Sequence, residues 1–432
     1  VSTQKYTYMN KVFTAATLLL FIGFGSAYAQ RDTRHFEKGV VSVTNNDSVN
    51  AEIVEHHLSG NTPGSPKDNG LPRFAIVGKD HKFYMGIGVQ FLGEAAFDFG
   101  DNMKSVTSFT PSAITPSTPG NGSSLGFGWQ TSSFYMNILA LPGESNQVGM
   151  FFKANFTGNN NSLKVKHLYA RYRGLKIGYT TSLFTDASAE PMTIDNEGPN
   201  GYPFLYAFTA SWTQNFTKNF SGAIAVESTT TALTTNSATE QVNQRIPVIP
   251  IYLQYAWNSG KAHTRISGIV RAMQYRNLAS EQNKVLGGIG IQLSGMNPIA
   301  GPLSLNYNIV YGKGISTYLQ DDTGLNLDAV PTATTGKLEM VKNLGMTAGL
   351  NYKFSSKVSS NLVFSHLVNY LPENATVASD TYRYGDYFVA NVLYNVNRFV
   401  GAGIEYDYGL RKDFAGKILH SNRLQVQMSV TF

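Results

Sequence analysis

From Lys82 to Phe432 apolar and polar residues alternate with period two in one segment after another, and few folds accept that pattern. In the last segment Leu424, Val426, Met428, Val430 and Phe432 share one face, while Arg423, Gln425, Gln427, Ser429 and Thr431 share the other. The segment before it sets Val400, Ala402, Ile404, Tyr406, Tyr408 and Leu410 against Glu405, Asp407 and Arg411. Further upstream, Leu303, Leu305, Tyr307, Ile309 and Tyr311 oppose Ser304, Asn306 and Asn308. A soluble sandwich also alternates, because its apolar faces meet each other. Here the segments run up and down too many times for one sandwich. Their polar faces carry small uncharged residues with sparse charge, as a water-filled lumen requires. Only a closed barrel leaves no strand edge unpaired in lipid. The predicted fold class is therefore all-β: a transmembrane antiparallel β-barrel of about sixteen strands over residues 82–432.

Composition agrees. Charged residues are only 14% of the chain, whereas Tyr and Phe number 24 and 26. Past residue 30 no apolar run reaches the length of a membrane-spanning helix. The expected connections also alternate. Long ones (100–132, 157–162, 183–203, 230–246, 276–283, 314–336, 371–381 and 412–420, of which only 157–162 is brief) are separated by short turns such as 215–218 and 355–357. Charged strand residues should point inward, since Lys or Arg facing lipid at the midplane costs about 2–4 kcal/mol.

The N-terminus reads as an address. Met9-Asn10-Lys11 opens a basic region, residues 13–24 are its apolar core, and Ala27-Tyr28-Ala29 is a small-x-small cleavage site before Gln30. Residues 1–29 are thus expected to be a secretory signal peptide, with residues 1–8 upstream of its start. The core is short for a retained anchor. Removing Lys5 and Lys11 lowers the formal charge from +6 to +4. Residues 30–81 are polar and turn-rich. They read either as a periplasmic segment that partly plugs the barrel floor or as a linker. The absence of cysteine fits export and excludes thiol nucleophiles and cysteine metal sites. The small, scattered charge gives no nucleic-acid footprint. Gly287-Gly288-Ile289-Gly290 lacks the strand-to-helix context of a dinucleotide loop, so no cofactor is expected.

Function concentrates in residues 163–204. Two strands, 163–172 and 174–182, meet at Arg173-Gly174 and lead into a loop, 183–203, carrying Asp186, Glu190, Asp195 and Glu197. A long loop of this kind is usually functional. It is expected to be an inward-folded third extracellular loop, redirected to the wall by Gly198-Pro199-Asn200-Gly201. Facing it should be a basic wall, Lys164 and Lys166 first, then Lys153, Arg265 and Arg271. Opposed rings of charge orient and select hydrated solutes, and a Debye length of about 8 Å spans a narrowed pore. The carboxylates and amides at 195–200 are a minor candidate for calcium, which takes six to eight oxygens where one short loop supplies few. His167 has no carboxylate placed beside it by spacing and reads as structural or as a subunit-interface residue. His366 falls on an outward face with no matching serine, which argues against an outer-wall hydrolase. No enzymatic activity is expected.

The run Leu163-Lys164-Val165-Lys166-His167-Leu168-Tyr169 resembles a basic strand pattern of the DcaP-like trimeric outer-membrane porins. So do Gly178-Tyr179-Thr180-Thr181-Ser182 and, most specifically, Thr193-Ile194-Asp195-Asn196-Glu197-Gly198-Pro199-Asn200. The Gly403-Ile404-Glu405-Tyr406-Asp407-Tyr408-Gly409 run and the terminal Phe432 extend the resemblance over most of residues 82–432. It implies a homotrimer in bacterial outer-membrane lipid, passing small hydrophilic and often anionic solutes such as dicarboxylates. Lys164 and Lys166 stand where arginines are common, and Thr181 where an aromatic is common. Lysine is a point charge and arginine a planar fork suited to carboxylates, so the solute preference does not carry over directly. Trimer contacts are expected through the outer walls of the early strands, around His167, Tyr169 and Arg171. The competing function class is an outer-membrane structural or adhesion protein without an open channel, and ion conductance separates the two. A plugged transporter barrel needs twenty-two strands, which this chain cannot supply.

Overall fold

A computed structural model describes residues 58, 62–63, 74–78, 81–258 and 262–432. The expected signal peptide, and all but a few residues of the segment 30–81, lie outside the described residues. Sixteen antiparallel strands form the barrel. They begin with β1 (Phe83–Gly100), β2 in two pieces (Ser123–Gly128 and Ser133–Ala140), β3 (Val148–Asn155), β4 (Lys164–Tyr172) and β5 (Leu175–Thr181). Next come β6 (Tyr206–Asn215), β7 (Phe220–Glu227), β8 (Ile249–Trp257), β9 (Ala262–Asn277), β10 (Gln282–Ala300) and β11 (Leu303–Lys313). The last five are β12 (Lys342–Lys353), β13 (Val358–Tyr370), β14 (Tyr382–Asn395), β15 (Val400–Asp413) and β16 (Ile418–Thr431).

Each strand pairs with its sequence neighbours, and β16 closes the barrel on β1 with Gln90 opposite Thr431 and Gly100 opposite Ser421. The lower part of β1 pairs instead with a short strand, Phe74–Val77. Below the β16 pairing, Val89 and Phe432 exchange both backbone hydrogen bonds at 2.9 Å. The connection expected at 100–132 is shorter than the sequence suggested, because 123–128 continues the β2 ladder on β1.

Alternation puts the two rows where lipid and water want them. On β16 Leu424, Val426 and Met428 are exposed on the outer wall, while Ser421, Arg423 and Gln425 are buried on the inner one. The inner wall is stitched by uncharged pairs such as Thr347–Ser365, Asn343–Asn369 and Asn361–Asn391. Among the described residues the largest buried apolar cluster lies inside the barrel. It joins Phe184, from the third long connection, and Ile315, Tyr318 and Leu319, from the sixth, to wall residues Val310, Leu367 and Tyr382. Other connections feed smaller clusters: Phe109 packs with Val363, Tyr387 and Val389, and Leu233 with Met273 and Tyr275.

One expectation of side-chain direction is corrected. His167 and Tyr169 are buried on the inner wall, and Leu168, Ala170 and Tyr172 face outward. The cause is a bulge. Lys153 pairs with His167, but Ala154 pairs with Val165, which leaves Lys166 as an extra residue. Parity changes there, so Lys164, Lys166 and His167 all serve the lumen side. His167, Tyr169 and Arg171, which shares their row, are thus not outer-wall trimer contacts. His167 bonds Thr180 Oγ1 through Nδ1 at 2.8 Å and meets the rings of Phe151, Tyr169 and Tyr206.

Candidate functional site

The loop 183–203 crosses the lumen, and each turn of its path has a polar anchor. Glu227 on β7 holds its start, accepting from Ser182 Oγ and Leu183 N at 2.7 Å each. Asp186 then reaches β9 and β10, accepting from His263 Nε2 at 2.9 Å and Ser294 Oγ at 2.7 Å, with Arg265 at 3.7 Å. Burial alone would raise the Asp186 carboxyl, but the His263 bond and the Arg265 charge hold it well below the usual carboxylate range. Asn306 on β11 donates to Ala189 O at 3.1 Å.

The loop turns on β14 and β15. Glu405 accepts from the backbone N–H groups of Ile194 and Asp195 at 2.7 and 2.6 Å. The Asp195 carboxylate accepts from Phe109 N at 2.7 Å, Tyr387 Oη at 2.9 Å and Gly198 N at 2.9 Å. The return limb runs along β13, where Gly201 N donates to Ser365 Oγ at 3.0 Å. A Cβ at Gly201 would collide with the carbonyl of His366, so only glycine lets the backbone lie this flat on the wall. Phe204 N donates to Tyr318 O at 2.7 Å, which ties the return to the loop 314–336.

Between the loop and the β1–β4 wall runs a cavity of about 600 Å³. Lys153, Lys164 and Lys166 line it from the wall, and Glu190, Asn196 and Glu197 from the loop. It continues towards the short-turn end past Asn395, Gln427 and Ser429. A second cavity, about 450 Å³, opens at the long-loop end and shares Lys164, Lys166, Asn196 and Glu197 with the first. Those four residues form the neck between them. Lys164 is exposed, Lys153, Lys166 and Glu197 are half-buried, and Glu190 and Glu94 are almost wholly covered at 2% and 5% exposure. Of these six charged groups Lys164 is the most exposed. Lys166 Nζ also sits 5.2 Å from the centre of the Tyr206 ring.

The sequence-derived residues thus divide. Lys153, Lys164, Lys166, Glu190 and Glu197 come together on one path. Asp186 and Arg265 face each other, but under the loop and away from that path. Asp195 is buried among Glu405, Tyr387 and Phe109, as an anchor and not across from the lysines. Arg271 is spent elsewhere: it bonds Asp328 Oδ1 and Gly314 O at 2.9 Å, in the connection beyond β11, and also Thr230 O, in the connection beyond β7.

Sequence reasoning missed how far that connection, 314–336, also folds inward. Gln320 and Thr323 line the path. Asp321 accepts from Tyr382 Oη at 2.7 Å and Ser112 N at 3.1 Å. Asp322 accepts from the amides of Asn369 at 2.8 Å and Asn343 at 3.3 Å. Burial pushes both carboxyls up to about 7. The adjacent aspartates in a long connection were the visible signal. Among the described residues no group of three or more His, Asp or Glu side chains is arranged to hold a metal ion.

A sixteen-stranded antiparallel barrel crossed by an inward connection has the fold of the porins. The structure is similar to that of the outer membrane channel DcaP of Acinetobacter baumannii, with a TM-score of 0.70 and 17% identity over 82% of this chain and 99% of that one. It is similar also to an anion-selective porin from Comamonas acidovorans (TM-score 0.54, 10% identity, 81% and 100% covered) and to OprB of Pseudomonas putida (TM-score 0.52, 9% identity, 81% and 94% covered). No protein-family profile matches the sequence, and no curated protein is similar to it in sequence.

Proposed function

We propose that the chain is an outer-membrane diffusion channel for small hydrophilic solutes, with a preference for anions such as dicarboxylates. The long-loop end is then extracellular and the short-turn end periplasmic. The observation that carries this reading is the neck. Exposed Lys164 and half-buried Lys166 stand there on the wall against half-buried Glu197 on the loop, with Lys153 further along the same wall and Glu190 almost wholly covered. A fixed positive wall in a narrow aqueous path favours anions, and little salt screening intervenes at that width. The similarity to an anion-selective porin and to the DcaP channel is in keeping with it. Assembly as a homotrimer belongs to the same proposal, with the outward row Leu168, Ala170 and Tyr172 at the subunit contact in place of His167 and Tyr169.

The test is the reversal potential across a planar bilayer in a potassium chloride gradient. The wild type should favour chloride, and Lys164→Glu, Lys166→Glu should reverse the sign. A cation-selective wild type, or an unchanged potential in the double variant, refutes the assignment. A chain that inserts but never conducts supports the structural or adhesion reading instead.

A further inference from the structure

The channel reading makes no use of two lysines on the outer wall. Lys313 ends β11, Lys342 opens β12, and the two are direct cross-strand partners. Both are exposed and both stand on outward rows, Lys313 after Ile309 and Tyr311, and Lys342 before Leu344 and Met346. Like charges placed directly opposite repel and destabilise a sheet. At the end of β9 the facing charges are opposite in sign, Arg276 against Glu240. Among the described residues no carboxylate lies within ion-pair distance of Lys313 or Lys342. Asp386, on the outward row of β14, is bonded instead by His366 Nδ1 at 2.7 Å.

The connection between the two lysines leaves them outside. Gly314, with φ 65°, follows Lys313 directly, and its N–H donates to Val341 O at 2.9 Å. Ile315 and Val341 are wholly buried, so the chain departs and returns on the inner side of the wall. The depth of the pair follows from strand geometry. Lys313 lies ten residues beyond Leu303, which faces Tyr352, whose ring packs on Phe354 at 4.8 Å. A strand tilted by about 40° rises about 25 Å over that length, the height of a barrel's apolar band. The lysines therefore mark the far edge of the band, where Tyr311 and Tyr370 supply exposed rings. On a sixteen-strand ring β12 stands opposite β4, so this wall is turned away from the proposed subunit contact and towards lipid.

We propose that Lys313 and Lys342 bind the phosphate headgroup of a membrane lipid whose chains lie along Ile309, Tyr311 and Met346. A phosphate between the two ammonium groups cancels their repulsion and offers oxygens to both. A zwitterionic headgroup brings its own cation and compensates the pair poorly. Placement in the outer leaflet rests on the orientation proposed above; the binding does not.

Native mass spectrometry of the detergent-solubilised protein tests it, with phosphatidic acid and phosphatidylcholine of the same acyl chains as probes. Wild type should hold phosphatidic acid about tenfold or more tightly. Lys313→Gln, Lys342→Gln should lose that margin. Lys353→Gln, Lys357→Gln, which removes two exposed lysines at the short-turn end, should keep it. Equal affinity for the two lipids, an unchanged margin in the first variant, or an equal loss in the second overturns the proposal. So does displacement of the lipid by an equal concentration of inorganic phosphate, which would mark a site for the free ion. Where the double variant does not fold, Lys313→Gln and Lys342→Gln taken singly should each weaken phosphatidic acid binding several-fold, and no change in either is equally fatal. A non-conducting wild type that still prefers phosphatidic acid would count against the channel and not against the lysine pair.

Discussion

Replacing Glu405 by alanine should widen the neck without disturbing the barrel. Its two carboxylate oxygens accept four hydrogen bonds, from Ile194 N, Asp195 N, Asn391 Nδ2 and Gln425 Nε2, at 2.6–2.8 Å. Two of these hold the loop itself. A buried donor left without its acceptor costs about 1–3 kcal/mol, so the loop tip loses on the order of 2–6 kcal/mol of seating. The strand ladder of β15 is untouched, and Asp195 keeps Phe109 and Tyr387. Asn196 and Glu197 would then no longer be fixed opposite Lys164 and Lys166. Single-channel recordings should show larger conductance and more open-channel noise. Glu405→Gln, which keeps the shape and one acceptor oxygen, should give about half the effect. If the alanine variant matches wild type in both conductance and noise, the Glu405 anchor does not hold the neck.

Two further outcomes follow from the anchors. Asp186→Asn leaves Arg265, 7% exposed, beside a neutral group, and should destabilise the folded protein by about 3 kcal/mol, read as a lower temperature for loss of the compact gel mobility; an unchanged transition refutes it. Asp321 and Asp322 titrate near 7 in the folded chain against 3.8 when exposed, so seating of 314–336 is favoured in full below about pH 4 and weakens as pH rises through 7. The chain has no cysteine, so a single spin label at the exposed Thr334 should report greater mobility at pH 8 than at pH 5; equal mobility would contradict this.

Strand number, closure and the two faces were legible because the period-two pattern is local to each segment. The bulge at Lys166 was not. One unpaired residue reverses parity without altering composition, and so His167 and Tyr169 moved from the expected outer wall to the lumen. The loop's length and its approach to Lys164 and Lys166 could be read from residues close in sequence. The fate of Asp195 could not, because its partners Tyr387 and Glu405 lie 192 and 210 residues further on. Arg271 was misassigned for the same reason: a basic residue on an inward row has no label for which connection it will meet.

The seam between β1 and β16 governs how this chain must be made. Gln427 and Glu94, bonded at 3.0 Å across it, are 333 residues apart. Joining ends that distant costs about 5 kcal/mol of chain entropy, and no ladder contact at the seam repays it until the C-terminal strand arrives. While it is absent, β1 presents an open edge, the kind of template on which other chains aggregate. A nascent chain therefore has to be escorted in an unfolded state until Phe432 can reach Val89. Quality control is built into the order of synthesis: a truncated copy lacks the piece that completes the circle and remains an open sheet.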